Sequence, residues 1–146
     1  MISTRGRYAL RVMIDLAEHR FQWLIPLKDI AERQEISKKY LELLVRDLVA
    51  AKLIVGVSGR GGGYKLSRKP EEYTVGEILE VMEGSISQVA CLSKQKNDCP
   101  RKKFCKTLPM WTELDNLVRS YLFGKKLSDL TETLPVTEMK PPKKPA

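Results

Sequence analysis

The sequence predicts a mainly α-helical protein with a small β-hairpin wing, and three features support this prediction. Apolar residues recur at helical spacing in several segments, most regularly at Leu41, Leu44, Val45, Leu48 and Val49. Two runs of strand-like composition, 53–57 and 64–66, follow that helix directly. Between them, four glycines within residues 59–63 suit a tight connection of antiparallel strands. A helix followed by such a hairpin indicates a winged helix-turn-helix domain, here joined to a long dimerisation helix.

The first predicted helix extends from Thr4 to about Phe21. Its apolar residues cover most of its circumference: Tyr8, Ala9, Leu10, Val12, Met13, Ile14, Leu16 and Ala17. A helix of this kind is buried on more than one side, so we expect it to be the scaffold of the domain. His19, the only histidine, falls near its end, where positive charge is favourable.

A helix-turn-helix unit is predicted next. The segment from Leu27 to Arg33 has the pattern of a short helix, and a turn leads from it to Ser37, a natural N-cap for the following helix. The polar face of that second helix is mostly cationic, with Lys38, Lys39, Glu42 and Arg46. In a major groove, Lys and Arg contact guanine edges and Glu accepts from cytosine N4. A solvated helix face is the alternative that the charges alone leave open.

The hairpin favours the DNA interpretation. A basic, glycine-rich tip directly after a basic helix suits contact with phosphates and the minor groove. Nucleotide-binding glycine loops are followed by a helix, whereas a strand follows here, so we discount that alternative.

Charge is distributed unevenly along the 146 residues. Residues 1–70 contain 14 Lys and Arg against 7 Asp and Glu, so they carry +7 of the net charge of +8. A basic half joined to a nearly neutral half is typical of nucleic-acid-binding proteins. No run approaches the ~18 apolar residues of a membrane span, so we expect a soluble cytoplasmic protein with no membrane partner. The lone histidine, without a paired carboxylate or a nucleophile motif, argues against an enzyme.

Two further helices are predicted after the wing. Thr74 is expected to cap a helix to about Glu83, whose Glu77, Glu80 and Glu83 are expected to be exposed and to face away from DNA. The second helix, Pro109 to Phe123, has apolar residues seven positions apart, which is typical of a helix that packs along another helix. We expect it to be a dimerisation helix, with intramolecular packing as the alternative. The expected interface residues are Met110, Trp111, Leu114, Leu117, Val118 and Tyr121.

Three cysteines, Cys91, Cys99 and Cys105, lie within one polar loop rich in Lys and Arg. Structural thiols are usually buried among apolar neighbours, and an odd number in a reducing compartment disfavours disulfides. Nearby cations stabilise thiolates, the form that binds metals. The spacing alone leaves a zinc ion and an iron–sulfur cluster as comparable alternatives.

A family resemblance covers roughly Met1 to Leu134. The run YLELLVRDLVAAKLIVGVSGRGGGYKLSRKPEEYTVGEILEVMEG, with STRGRYALRVMIDLA before it and the three cysteines after it, resembles the Rrf2 family of bacterial winged-helix transcription regulators. The resemblance implies a homodimeric regulator, expected to be a repressor, that binds double-stranded operator DNA. It also favours an iron–sulfur cluster (2Fe-2S or 4Fe-4S) over zinc, and so a sensor of cluster, iron, redox or nitric oxide status.

Two alternatives stay open. One is a cluster-free regulator of the same family, controlled by a partner protein or a metabolite, as in its cysteine-metabolism repressors. The other is a zinc-binding interaction protein, which would have no use for a basic helix and wing.

The pattern and the resemblance together assign a candidate DNA-binding surface. It consists of Arg5, Lys28, Ser37, Lys38, Lys39, Tyr40, Glu42, Arg46, Ser58, Arg60, Gly61 and Gly62. Ser58 stands where a relative has an arginine and Arg60 where many have a proline, so we expect Arg60 to make the groove contact.

The fourth cluster ligand cannot be carried over from the family. Where relatives have a histidine or an aspartate ligand, this chain has Leu108 and Arg7. The expected organisation is a DNA-binding domain (1–84), a cysteine loop (85–106), a dimerisation helix with a C-terminal turn capped by Ser128 (107–134), and a disordered tail (135–146).

Overall fold

The computed structural model describes residues 1–132, so the predicted tail lies outside the described residues. Within that range the fold is mainly helical with one two-stranded antiparallel sheet, as the sequence predicted. Its elements are α1 (Thr4–Glu18), α2 (Leu27–Gln34), α3 (Lys38–Ala50), β1 (Ile54–Val57), β2 (Gly63–Leu66), α4 (Val75–Glu83), α5 (Leu108–Gly124) and α6 (Leu127–Glu132). No helix in residues 1–132 is long and apolar enough to cross a bilayer.

Helix α1 is the scaffold of the domain. It begins after Ser3, whose hydroxyl accepts a hydrogen bond from the Gly6 N–H, and it packs on α2, α3, α4, α6 and β2. The helix ends three residues earlier than the predicted Phe21. His19 occupies the C-cap, with its Nδ1 2.8 Å from the Asp15 carbonyl oxygen, and Phe21 lies beyond the helix with 90% of its surface exposed.

A buried carboxylate joins α1 to α2. Asp15 is fully buried, and its oxygens accept hydrogen bonds from Arg33 Nε (2.9 Å), Arg33 Nη2 (2.7 Å) and Gln34 Nε2 (2.9 Å). The hydrogen bonds from Arg33 to Asp15 raise the pKa of the Arg33 guanidinium above its usual value. Since a buried charge requires such partners, this network fixes the position of the helix that leads into the turn.

The turn between α2 and α3 follows the predicted capping. Glu35 takes the left-handed conformation (φ 55°), and the Ser37 hydroxyl accepts a hydrogen bond of 3.2 Å from the Tyr40 N–H. Four of the five predicted apolar residues of α3 are buried: Leu41, Leu44, Val45 and Leu48. Val49, the fifth apolar residue of that spacing, is 38% exposed. It lies over the hairpin, next to Gly56, at the edge of the core.

The hairpin gains a short third partner from the loop before α2. Ile54 pairs with Leu66 and Val57 with Gly63, while Ile25 forms an antiparallel bridge with Tyr64 through two bonds of 2.9 Å. A Cβ atom at Gly63 would lie 2.5 Å from the Ile25 carbonyl oxygen. Glycine is therefore required there by the close approach of the loop.

The wing base is joined to α4 through Tyr73, which is fully buried. Its hydroxyl donates to the Leu53 carbonyl (2.6 Å) and accepts from the N–H groups of Ser67 and Arg68 (3.0 Å each). Thr74 then caps α4 as predicted, with its hydroxyl accepting from the Glu77 N–H (3.1 Å). The hairpin is therefore held to the helical core at its base.

The glutamates of α4 are half-buried, so the predicted exposure of this face is wrong. Glu77 pairs with Arg68, Glu80 lies 3.6 Å from Arg119, and Glu83 accepts two hydrogen bonds from Ser3. Within the domain, these three glutamates form ion pairs and hydrogen bonds with residues of segments that are distant in the sequence.

Helix α5 packs on α4 with one face and leads into α6. Phe123 lies so close to Gly76 that a Cβ atom there would be 2.5 Å from its ring. Residues 127–132 form a helix rather than the predicted turn, and Ser128 lies buried inside it. The preceding N–H, of Lys126, is capped by the Asp129 carboxylate at 2.8 Å.

Candidate nucleic-acid interface and metal centre

One side of α3 is free to meet a ligand. The predicted contact residues Ser37, Lys38, Lys39, Glu42 and Arg46 are all exposed. The Arg46 side chain is 72% exposed, and its nearest carboxylate oxygen, on Asp47, is 3.9 Å away. The exposed cations of α3 therefore remain available to a ligand.

Leu43 belongs to the same face and was not predicted from the sequence. It is 47% exposed and lies one turn after Lys39, between Glu42 and Arg46. Apolar side chains in a major groove contact the thymine methyl group. The sequence signal that could have identified Leu43 is its spacing, because position 43 falls outside the helical series of buried positions in α3.

The wing tip extends the exposed surface. Ser58, Arg60 and Gly61 are exposed, and Arg60 has no ion pair or hydrogen bond in the part of the chain that the structure describes. Gly59 and Gly61 have φ angles of 91° and 76°, which L-residues rarely adopt. The Gly62 N–H donates to the Gly59 carbonyl (3.0 Å), which closes the turn below Arg60.

Three other predicted contact residues have different surroundings. Arg5 is exposed, but its guanidinium pairs with Asp47 of α3. Tyr40 is half-buried, and its ring packs edge to face on Tyr8 with 5.8 Å between centroids. Lys28 is exposed in the first turn of α2. Arg5 and Tyr40 thus position α3 on α1, whereas Lys28 forms no ion pair within residues 1–132.

The cysteine loop connects α4 to α5. Cys91 lies in a short 3-10 turn, and the Cys99 N–H donates to Asn97 Oδ1 (2.9 Å). All three thiols are free and partly exposed. Lys102 donates through Nζ to the Asn97 carbonyl at 3.1 Å, so one of the predicted thiolate-stabilising cations is held within the loop.

Cys105 lies next to groups that favour its thiolate form. Its Sγ lies 3.4 Å from the Thr107 hydroxyl, at the start of α5. Hydrogen bonds from the Thr107 hydroxyl and N–H lower the pKa of the Cys105 thiol below its usual value, with a smaller contribution from Arg101. A lower pKa favours the thiolate, the nucleophilic and metal-binding form.

The three thiols are suitable ligands for an iron–sulfur cluster, but the described conformation of the loop does not bring them together. Thiolates are the usual ligands of iron–sulfur clusters. In residues 1–132, however, no group of three or more His, Cys, Asp and Glu side chains is placed to hold a metal ion. Leu108 begins α5 and Arg7 bonds to Thr4 Oγ1 (3.1 Å), so neither position offers a ligand.

The outer face of α5 is exposed and apolar. Met110, Leu117 and Tyr121 are 52%, 64% and 65% exposed, and Leu114 is 37% exposed, whereas Trp111 and Val118 are half-buried. One face of the helix packs on α4, as the intramolecular alternative expects, and the other is uncovered in the single chain, so dimerisation through that face stays a prediction.

Comparison with known proteins gives a consistent result. The Rrf2 family model, described as iron-dependent transcriptional regulator, matches residues 2–133. The transcriptional regulator IscR of Aliivibrio salmonicida is 38% identical over 88% of this chain and 76% of its own length. The structure of CymR, the global cysteine regulator of B. subtilis, covers 92% of this chain and 98% of its own, with a TM-score of 0.75 and 35% identity. T. potens IscR covers 96% and 92%, with a TM-score of 0.73 and 34% identity.

Proposed function

The chain belongs to the Rrf2 family of DNA-binding transcription regulators, and we propose that it acts as a homodimeric repressor that binds operator DNA through α3 and the wing. The observation that carries the proposed surface is the set of exposed cations on α3 beside Arg60 of the wing tip. Among them, Lys38, Lys39 and Arg60 form no ion pair in residues 1–132. An α-helix fits the major groove, and a basic tip beside it reaches the adjacent backbone or minor groove. The relatives are transcription regulators rather than enzymes.

Binding to duplexes selected from a random pool tests the proposed surface. Arg60→Ala should reduce the slope of log affinity against log salt by about one, because one phosphate or minor-groove contact is lost. Lys39→Ala and Glu42→Ala should change the preference among selected duplexes, by about 1–3 kcal/mol per lost base contact. Lys126→Ala, which removes an exposed cation between α5 and α6, is the matched control. If the Arg60, Lys39 and Glu42 variants bind every duplex as the Lys126→Ala control does, the assigned surface is incorrect.

The second part of the proposal concerns what the regulator senses. We assign Cys91, Cys99 and Cys105 as the protein ligands of an iron–sulfur cluster and the loop as the sensor. Free thiols, the cationic loop and the family's description as iron-dependent support this assignment. A bound cluster supplies redox chemistry and reactivity towards small molecules. The loop must rearrange to bring the thiols together, since the described arrangement does not.

Anaerobic reconstitution tests the sensor. Absorption and Mössbauer spectra should show a cluster in the parent and in Ser93→Ala, a change in the same loop that removes no thiol. Alanine at any of the three cysteines should remove the cluster and the difference in operator affinity between apo and reconstituted protein. Equal affinities with the cluster present would leave the cluster-free regulator as the better description, and the similarity to the cysteine regulator CymR supports that alternative equally.

A further inference from the structure

A cleft with exposed aromatic side chains lies at the base of the wing, outside the surfaces described above. It has a volume of about 850 Å³ and lies between the loop after α1 and the segment that follows β2. Phe21 and Trp23 line it and are 90% and 78% exposed. Isolated exposed apolar residues are common, but two large exposed aromatics that line one cleft are typical of protein-binding surfaces.

Cations surround these two rings. Lys65 Nζ lies 4.1 Å from the centroid of the Trp23 ring, and the Arg20 guanidinium lies 5.5 Å from that of Phe21. Lys69 lines the same cleft. Within residues 1–132, none of the three cations forms an ion pair with a carboxylate. Their charges are therefore available to a ligand.

The acidic residues of the cleft do not cancel this charge. Glu71 and Glu72 line it, and Glu72 accepts a hydrogen bond of 3.0 Å from the Lys69 N–H, which leaves its negative charge in place. The remaining cation, Arg68, pairs with Glu77 of α4. Three cations without an ion pair in residues 1–132 thus face two carboxylates, so the lining stays positive and the cleft favours a negatively charged ligand.

The cleft lies at the end of the hairpin opposite the tip. Strand β2 extends from the tip to the base, and its antiparallel bridge from Tyr64 to Ile25 places the residues before Ile25 towards the base. At that base the Ser67 hydroxyl donates to the carbonyls of Lys52 (2.8 Å) and Leu53 (3.0 Å). A duplex that contacts Arg60 and α3 would therefore leave the cleft accessible.

We propose that this cleft binds an acidic segment of a partner protein that inserts one apolar side chain between Phe21 and Trp23. Aromatic anchors supply most of the binding energy at such interfaces, and surrounding charges select the partner and speed association. The position of the cleft allows the protein to hold DNA and the partner together. The inference is independent of the cysteine loop and of any cluster.

The test uses the full chain and a fluorescein-labelled peptide, acetyl-Glu-Asp-Asp-Leu-Phe-Asp-Glu-Glu-amide, with fluorescence anisotropy as the readout. We expect saturable binding that weakens at least about tenfold when Phe21 and Trp23 are both changed to Ser, and similarly in Lys65→Glu. Arg7→Glu, an exposed cation at the other end of α1, should bind like the parent. Peptides with Ser-Ser in place of Leu-Phe, or with Lys in place of each acid, should bind poorly. Thermal unfolding of the Phe21 and Trp23 variant and of Arg7→Glu should match the parent, because those side chains are exposed. Lys65 is half-buried, so the unfolding temperature of Lys65→Glu is measured to separate lost binding from lost stability.

Other outcomes would overturn the proposal. Equal peptide affinity for Lys65→Glu and Arg7→Glu would show attraction to net charge alone. A loss of binding to mixed-sequence duplex DNA in the Phe21 and Trp23 variant would assign the cleft to the DNA interface. Binding of phosphatidylserine vesicles that depends on the two aromatics, without peptide binding, would assign it to a membrane surface. A change in oligomer mass on altering Phe21 and Trp23 would assign it to contact between copies of this chain.

Discussion

At the residue scale, the pair of Asp15 and Arg33 shows how a buried charge is tolerated in this domain. Asp15 has no exposed surface and its ion-pair partner Arg33 contributes two of its hydrogen bonds. Removing only the cation leaves an unpaired buried carboxylate. Arg33→Met should therefore lower the free energy of unfolding by about 3–5 kcal/mol in urea titrations. The double change Asp15→Leu with Arg33→Met should recover most of that loss, and a double variant no more stable than the single one would contradict the explanation.

Cys105 allows a second prediction at this scale. Hydrogen bonds from Thr107 lower the pKa of its thiol, so the thiolate population persists at a lower pH than for an ordinary cysteine. Thr107→Val removes the hydroxyl, which should raise the pKa and slow the alkylation of Cys105 by iodoacetamide in the apo protein near neutral pH. The rate profile should shift to higher pH and reach the same plateau. Thr112→Val, a matched change within α5, should leave the profile unaltered.

At the scale of the elements, the wing depends on glycine for close packing as well as for turn geometry. A Cβ atom at Gly62 would lie 2.2 Å from the Val57 carbonyl oxygen and 2.8 Å from that of Gly59. Because both are backbone atoms, the tip itself must change shape. The tip is connected to the core only through the two strands of the hairpin. A change in the shape of the tip should therefore leave the core unchanged.

Gly62→Ala should accordingly weaken operator binding while leaving the thermal unfolding of the domain nearly unchanged. The reason is that Arg60 loses its position, while no core residue is disturbed. Gly124→Ala, where nothing lies within 4 Å of the added Cβ atom, is the control and should bind like the parent. Full operator affinity in Gly62→Ala would show that the tip geometry does not matter for binding.

Helix α4 has a wider role than its predicted one. Its three glutamates hold the start of α1, the segment after β2, and α5. The helix therefore connects the wing base to the helix that carries the exposed apolar face. The cysteine loop begins directly after it, so the loop rearrangement that we propose for cluster binding would act on the same junction.

At the scale of the whole molecule, the uncovered face of α5 predicts a dimer. Leu117 is 64% exposed in the single chain, so a charge there costs nothing in the monomer but several kcal/mol if it is buried unpaired at an interface. Leu117→Lys should give a monomer by light scattering, with weak operator binding because two half-sites can no longer be contacted together. Val55→Lys, at a 39% exposed apolar residue of β1, should remain dimeric. An unchanged mass for Leu117→Lys would place the dimer contact elsewhere.

The sequence by itself determined the local elements of this protein. Helical spacing located α1 to α5, Ser37 and Thr74 identified two helix starts, and the glycines after Val57 located the hairpin. These features depend on neighbours along the chain, whose side chains satisfy backbone groups or choose a helix face within a few residues. The family and the fold class followed from the same local patterns.

Only the tertiary structure decided how those elements use their polar groups. Contacts between residues distant in the sequence fix the partial burial of the α4 glutamates and the full burial of Asp15. The pairing of Arg5 with Asp47 and the bridge from Ile25 to Tyr64 are contacts of the same kind. The same holds for Leu43, which is apolar yet exposed, and for the three thiols, which share a loop without meeting. The charge or polarity of a side chain shows that it requires a hydrogen-bonding or ionic partner when buried. The packing of segments distant in the sequence determines which partner is within hydrogen-bonding distance.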